Sequence, residues 1–453
     1  MMDTILNFVK KLIPKKLFKL LQPVYHFLLG YIAALWYGFP SEKMIVLGVT
    51  GTTGKTTTIF LIESILKNAG YKTGYVTTAM FSDGEREWLN DKKMTMVGRF
   101  LLQKLLRKML DNGCQVAIVE TTSEGVVQFR HRFINYDKLL FTGIFPEHIE
   151  SHGSFENYKM AKGKLFAHLE NCRPKNINSC PVKSATDHRA SKLEKTIIVN
   201  HDDAYANYFL DFWADKKIQY GEKNDTQIEM LVAKDITSRA DGISFSIDGV
   251  KIDMQIVGRF NVGNALAAAA VASSFDISME KIKAGLEKIQ GIPGRLEKID
   301  AGQNFMVIVD YAFEPNAVAK LYETVKNIVH NKIIHVLGST GGGRDKARRP
   351  KLGKLADENA DFVIVTNEDP YDEDPMQIIA EVAAAVEKKK EQESFWKILD
   401  RREAIQKALS LAQANDIVLV TGKGSEQAMC VADGKKIFWD DRTVIREELA
   451  KLK

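Results

Sequence analysis

The chain has 453 residues, of which 45% are hydrophobic and 27% charged, and its formal net charge is +5. This composition is ordinary for a globular protein of two or three domains, and the charge is too small and too dispersed to indicate a nucleic-acid partner. The four cysteines have neither disulfide-framework nor zinc-site spacing, which suits a reducing cytosol.

The first segment, residues 1–43, combines basic and apolar residues. Residues 1–19 contain Lys10, Lys11, Lys15, Lys16 and Lys19. Residues 20–41 then carry no Asp, Glu, Lys or Arg and are rich in aromatic residues. Pro23 leaves a continuous apolar stretch shorter than the ~20 residues that span a membrane. The pattern predicts a helix or helical hairpin that either lies on a membrane surface or packs on the next domain.

A phosphate-binding loop follows an apolar strand at residues 44–47 and precedes apolar residues at helical spacing. Its backbone N–H groups, the amine of Lys55 and the hydroxyl of Thr56 can hold nucleotide phosphates and Mg²⁺. Val49 stands where the usual P-loop has its first glycine, and the alternative interpretation is a glycine-rich turn without nucleotide. The predicted ATP-binding residues of the loop are Gly51, Thr52, Thr53, Gly54, Lys55, Thr56 and Thr57.

Strands and helices alternate after this loop, which predicts an α/β protein. Residues 44–292 should form a doubly wound ATPase domain with a parallel sheet, whose ligands gather at the carboxyl ends of the strands. Short alternating runs in residues 196–256 predict an antiparallel extension of that domain. A turn at residues 291–294 marks a boundary. Residues 293–453 should then form a second, Rossmann-like domain.

Seven further motifs follow the loop in order. They are Val-Glu-Thr-Thr-Ser from Val119, Pro-Glu-His-Ile-Glu-Ser-His-Gly from Pro146, Ala-Lys-Gly-Lys-Leu-Phe from Ala161, Gly-Arg-Phe-Asn-Val-Gly-Asn from Gly258, Pro-Gly-Arg-Leu-Glu from Pro293, Val-Asp-Tyr-Ala from Val309 and Gly-Lys-Gly-Ser-Glu from Gly422. From about Met44 to the C-terminus, the set resembles the Mur ligases. The resemblance is strongest to the type that adds the third amino acid to UDP-N-acetylmuramoyl-dipeptide.

The chemistry of such a ligase explains these residue types. Joining a carboxylate to an amine through an acyl phosphate requires a lysine, Mg²⁺ and a further cation around the transferred phosphate. Lys55, Thr56, Glu120 and His148 can supply the first two requirements, and Arg295 the third. The resemblance implies that Glu120 and His148 serve two magnesium sites and that Lys162 is carbamylated into an anionic metal ligand. It also implies nucleotide contacts by Asn261, Asn264, Arg295 and Asp310.

The amino-acid selector departs from the pattern of the family. Enzymes that add diaminopimelate have Asp-Asn-Pro-Arg, whose arginine grips the distal carboxylate, whereas this chain has Glu368-Asp369-Pro370-Tyr371. Two acids without an arginine favour an amino acid with a distal cation, such as lysine or ornithine. The alternative is that the acids only cap a helix. The predicted substrate-binding residues are Thr95, Thr122, Ser123, Arg130, Glu368, Asp369, Tyr371, Gly422 and Glu426.

The acceptor is less well defined. The forty-odd residues before the loop are too few for the UDP-binding domain of the family, so a muramoyl-peptide-like acceptor could be UDP-linked or lipid-linked. The alternatives are a ligase of the cyanophycin or folylpolyglutamate synthetase kind, and a non-catalytic, membrane-associated scaffold. Because ATP is cytosolic, a membrane-spanning helix or signal peptide is disfavoured. We expect a cytoplasmic enzyme that residues 1–40 hold at the inner face of the membrane.

Overall fold

The computed structural model describes residues 15–452 apart from 93, 148, 177–191, 224–227, 240 and 344. Two sheets flanked by helices confirm the predicted α/β class. The first is eleven-stranded, with the strand order β11-β10-β9-β8-β7-β6-β1-β5-β2-β3-β4. Its strands are β1 (Ile45–Thr50), β2 (Thr73–Val76), β3 (Met80–Ser82), β4 (Glu87–Leu89), β5 (Val116–Glu120), β6 (Lys138–Phe141), β7 (Thr196–Asn200), β8 (Lys216–Gly221), β9 (Met230–Arg239), β10 (Gly242–Ile247) and β11 (Val250–Met254).

Helices cover both faces of this sheet, which explains why β1, β5 and β6 are buried along their whole length. One apolar core joins the sheet to α2, α8 and α9, and a second joins it to α3 and α6. The helices of this part are α2 (Lys55–Asn68), α3 (Arg99–Asp111), α4 (Ser123–Val127), α5 (Ile149–His152), α6 (Phe155–Glu170), α7 (Ala206–Leu210), α8 (Asn261–Ser273) and α9 (Met279–Glu287).

The predicted antiparallel extension is only partly correct. β7 pairs in parallel with β6, β8 with β7, and β9 with β8, so the parallel order continues through three more strands. Within this predicted extension, only β9, β10 and β11 pair antiparallel. Strands β7 to β11 all belong to the first sheet, because the helix-covered core continues beneath β7 and β8.

The second sheet has the order β12-β13-β17-β14-β15-β16, with β12 antiparallel to β13 and the others parallel. The carboxyl ends of β13, β15 and β17 carry Asp310, Glu368 and Gly422. The elements are β12 (Glu297–Ile299), β13 (Met306–Asp310), α10 (Pro315–Lys326), β14 (Ile333–Leu337), α11 (Arg348–Asn359), β15 (Phe362–Thr366), α12 (Pro375–Ala383), β16 (Phe395–Ile398), α13 (Arg401–Leu411), β17 (Ile417–Thr421), β18 (Ala428–Cys430), β19 (Lys436–Phe438) and α14 (Asp441–Lys451).

The N-terminal segment contains one described α-helix, α1 (Lys15–Trp36), which packs on α3. The helix continues through Pro23. A proline removes one backbone hydrogen bond, but the helix can continue where its other bonds and its packing persist. Among the described residues, no helix has the length and apolar character needed to cross a membrane.

Candidate active site

The phosphate-binding loop turns between β1 and α2, as predicted. Gly51 and Gly54 have φ angles of 151° and 81°, which favour glycine. A Cβ on Gly54 would also collide with the side-chain oxygen of Asn264. No side chain caps the start of α2, so its first backbone N–H groups face the cleft as anion donors. Lys55 Nζ folds back onto the carbonyl oxygens of Gly51 and Thr52, at 3.2 and 2.8 Å.

Glu120 lies beside this loop because β5 is the parallel neighbour of β1. Its Oε2 accepts hydrogen bonds from Thr56 Oγ1 and from the Thr78 backbone N–H, each at 2.9 Å. Its Oε1 accepts one from Thr78 Oγ1 at 3.0 Å. A hydroxyl and a carboxylate next to a phosphate cradle are oxygen donors of the kind that Mg²⁺ takes together with nucleotide phosphates, so these residues fit the ion. His148 lies outside the described residues.

Lys162 lies in α6 and is almost fully buried. Its Nζ donates a hydrogen bond to the Gly51 carbonyl oxygen at 2.8 Å and lies 4.6 Å from the centre of the Tyr158 ring. Burial, followed by the charge of Lys55, lowers the pKa of Lys162 well below its usual range. The structure therefore places a buried amine, whose charged form is penalised, against the phosphate-binding loop. The neutral form of an amine is the one that reacts with carbon dioxide to give a carbamate.

The predicted nucleotide residues lie on α8, just before β12 and at the end of β13. Asn264 Nδ2 donates to Asn261 Oδ1 at 2.8 Å, and Thr58 Oγ1 donates to Asn264 Oδ1 at 3.3 Å, which fixes both amides at the start of α8. The Arg295 guanidinium stacks 4.3 Å from the centre of the Tyr311 ring. Asp310 accepts the backbone N–H groups of Leu296 and Ala312, both at 2.7 Å. Asn261, Asn264, Arg295 and Asp310 all line one cleft of about 690 Å³ with Lys55 and Glu120.

The predicted acceptor residues line the same cleft. Thr95 Oγ1 lies 2.8 Å from Thr78 Oγ1, which links it to Glu120. Thr122 caps α4, and Ser123 Oγ lies 3.0 Å from His152 Nε2. Arg130 donates to the Met96 carbonyl oxygen and to Gln128 Oε1. The cleft thus runs from the phosphate loop to a basic end at Arg130.

Glu368, Asp369 and Tyr371 of the predicted amino-acid selector also line this cleft. Lys423 Nζ lies 3.0 and 3.1 Å from the two oxygens of Asp369, and 3.0 Å from Glu426 Oε2. The charge of Asp369 is therefore balanced by a buried lysine, a contact that the sequence did not reveal. Glu368 Oε1 accepts from Thr340 Oγ1 at 3.2 Å, whereas Oε2 is buried without a hydrogen-bond partner among the described residues. Burial, then the charge of Asp369, raises the pKa of Glu368.

Three further residues line the cleft. Thr78 follows β2, and only strand pairing brings it to Glu120. Glu147 precedes His148, and burial raises its pKa to about 7. Arg348 Nη1 donates to Glu314 Oε1 at 2.7 Å, and Nη2 donates to Thr340 Oγ1 at 2.6 Å. The signal for Thr78 was its place at the carboxyl end of a predicted strand, and the signal for Glu147 was its place in a quoted motif.

Comparisons with known proteins agree with this geometry. Residues 49–272 match the Mur ligase middle domain, and residues 294–424 match the Mur ligase, glutamate ligase domain. A UDP-N-acetylmuramyl-tripeptide synthetase of Roseiflexus sp. (strain RS-1) is 37% identical over 94% of this chain and 82% of its own length. A UDP-N-acetylmuramoyl-L-alanyl-D-glutamate--2,6-diaminopimelate ligase of Geobacillus kaustophilus is 35% identical over 92% and 81%.

Two solved structures are also similar. A UDP-N-acetylmuramoyl-L-alanyl-D-glutamate--2,6-diaminopimelate ligase has a TM-score of 0.58 and 26% identity, covering 90% of this chain and 79% of its own. The folylpolyglutamate synthase of Mycobacterium tuberculosis has a TM-score of 0.66 at 15% identity over 93% and 94%, which shows the fold alone. With both of its domains matched along the sequence, the chain belongs to the Mur ligase family of ATP-dependent ligases.

Proposed function

We propose that this protein uses ATP and Mg²⁺ to join a free amino acid to the carboxylate of a muramoyl-peptide-like acceptor in peptidoglycan precursor synthesis. The observation that carries the proposal is the single cleft in which a phosphate-binding loop, Glu120 and Arg295 meet an acceptor wall and an amino-acid wall. A nucleotide-binding scaffold has no need of these two further walls.

The reaction would run in two steps. An acceptor carboxylate oxygen attacks the γ-phosphorus of ATP, the bond to the bridging oxygen breaks and ADP leaves. The amine then attacks the acyl-phosphate carbon, phosphate leaves, and the amine proton is released. Mg²⁺, when bound, neutralises charge on the phosphates. Thr56 and Glu120 would hold it, with His148 serving the second site.

The basic residues would place the transferred phosphoryl group. Lys55 releases its bonds to the loop carbonyls and turns to the phosphates, and Arg295 approaches from the second domain. Asn261, Asn264 and Asp310 would hold the nucleoside. A carbamate on Lys162 would replace the amine by an anionic oxygen donor for the metal. Its formation joins the lysine nitrogen to carbon dioxide and releases one proton.

The amino acid is proposed to be basic. The buried, unpaired Oε2 of Glu368 can accept a distal ammonium, and Tyr371 stands where the diaminopimelate-adding type has arginine. Glu426, held by Tyr311 Oη at 3.1 Å and by Lys423, is proposed to receive the α-amino group. Thr95, Thr122, Ser123 and Arg130 would hold the acceptor.

The function is tested by phosphate release. We expect release only when ATP, a muramoyl-dipeptide acceptor and an amino acid are present together. Release with ATP alone, or none with any acceptor, would contradict the proposal. A panel including UDP-linked and lipid-linked muramoyl dipeptides, folate and an aspartate polymer separates this activity from the related ligases, and kcat/KM for lysine, ornithine and diaminopimelate identifies the amino acid.

We also propose that the enzyme works in the cytoplasm, with residues 1–40 in contact with the inner face of the membrane. The support is the lysine-rich sequence that leads into a helix whose second part is aromatic and carries no Asp, Glu, Lys or Arg.

A further inference from the structure

Helix α1 exposes an unusually apolar face. Among the described residues, nineteen large hydrophobic side chains are exposed, and seven of them lie between Val24 and Trp36 of this one helix. Trp36 is 76% exposed and Leu35 57%. The seven are Val24, Phe27, Leu28, Tyr31, Ile32, Leu35 and Trp36. Because they recur at spacings of three and four residues, they form one continuous stripe, about 18 Å long at 1.5 Å per residue.

The packing of α1 fixes this face toward the solvent. Ala33 and Ala34 on the opposite side are fully buried. Gly30 lies against the Phe133 ring, which a Cβ at this position would approach to 3.2 Å. Phe27 and Tyr31 contact the same ring with centroid distances of 5.0 and 5.5 Å. The small residues therefore hold the helix on the domain, while the large aliphatic residues are left uncovered.

The sequence around the stripe identifies the chemistry of its partner. The first 21 residues contain five lysines and a single acid, Asp3, and residues 20–41 contain no charged side chain other than a histidine. Tyr31 and Trp36 are residue types that favour the level of lipid headgroups. A basic end beside an apolar, aromatic face matches an anionic bilayer surface, where lysines meet lipid phosphates and apolar groups reach the acyl chains.

We propose that α1 lies flat on an anionic lipid bilayer, with the stripe from Val24 to Trp36 inserted at the headgroup level. The contact would place the acceptor end of the cleft near the membrane. The reason is that Phe133, which packs on α1, is only three residues from Arg130, which lines the cleft. This surface is separate from the ligase chemistry.

Vesicle flotation of the full chain tests the proposal. We expect the protein to float with vesicles of phosphatidylcholine and phosphatidylglycerol, to float less with phosphatidylcholine alone, and to be released by salt. Leu28→Glu combined with Leu35→Glu should lower partitioning at least about tenfold, because two inserted apolar side chains become charged. The matched control is Val329→Glu with Met376→Glu, which changes two exposed apolar residues elsewhere by the same charge and should float like the original chain.

Several results would overturn the proposal. One is a full chain that does not float, and another is equal flotation of the two double variants. A dimer in solution that only the α1 variant dissociates, without flotation of the parent, would mean that a second copy covers the face. Flotation that appears only after residues 1–14 are deleted would mean that this segment covers it. Thermal melting and phosphate release in solution should be alike in both variants, which excludes unfolding as the cause of lost flotation.

Discussion

Replacing Glu368 by Gln should remove the preference of the enzyme for an amino acid with a distal cation. The carboxylate is buried, and its Oε2 has no hydrogen-bond partner among the described residues. A distal ammonium bound there would make a hydrogen bond to a charged group, worth about 1.5–3 kcal/mol. At 1.4 kcal/mol per factor of ten, the loss corresponds to a fall of roughly 10- to 150-fold in kcat/KM for lysine.

The assay compares lysine with norleucine, which has the same length without the ammonium group. The ratio of kcat/KM for lysine to kcat/KM for norleucine should fall by the same roughly 10- to 150-fold factor in Glu368→Gln, because norleucine makes no use of the charge. The variant should keep its stability. The raised pKa of Glu368 shows that burial penalises its charged form in the folded protein, and Gln removes that penalty.

Asp369→Asn is the matched control. It removes one of the charges that balance the buried Lys423, so we expect a lower free energy of unfolding and a nearly unchanged lysine-to-norleucine ratio. If Glu368→Gln leaves the ratio within about twofold, or if the unmodified enzyme prefers diaminopimelate, Glu368 does not read the distal cation and the argument is refuted.

Four further predictions concern the site and the stability of the chain. Lys55→Ala should lower turnover at least about 100-fold without changing the melting temperature, because only a cation at the transferred phosphate is lost; near-normal turnover would exclude the mechanism. Lys162→Ala should be inactive but partly restored by short carboxylic acids that supply the missing anion, whereas full activity in the variant would exclude the carbamate. Lys423→Met should lower the free energy of unfolding by about 3–5 kcal/mol, because it leaves Asp369 buried without the lysine that pairs with it. Adding Asp369→Asn to the same chain should recover part of this loss. Urea titration of the two single variants and the double variant measures both effects. Burial lowers the pKa of His335 to about 3 from its ordinary 6.5, so between these pH values the imidazole binds a proton in the unfolded chain but not in the folded one. The free energy of unfolding should therefore fall by about 1.4 kcal/mol per pH unit as the pH drops from 6.5 toward 3. His335→Gln should flatten this slope in urea titrations, and an equal slope in the variant would refute the prediction.

The sequence determined the features that depend on short-range pattern. The glycine-rich loop with its Lys and Thr, the strand that ends at Glu120, and the turn before Arg295 are each encoded within a few residues. Parallel strands end at one edge of a sheet, so the meeting of the loop and Glu120 could be predicted from strand order. The same rule did not reveal that β7 and β8 continue the parallel sheet, because the direction of pairing depends on the chain path between strands.

Only the tertiary structure decided which charges are balanced and which apolar faces are covered. Asp369 and Lys423 are 54 positions apart, and they meet because the ends of β15 and β17 are carried to the same wall of the cleft. The apolar residues of α1 looked alike in the sequence, yet Ala33 and Ala34 are buried while Leu35 and Trp36 are exposed. Local pattern fixes which residues form a helix or a strand end, whereas the energy of a charge or an apolar side chain depends on what packing brings against it.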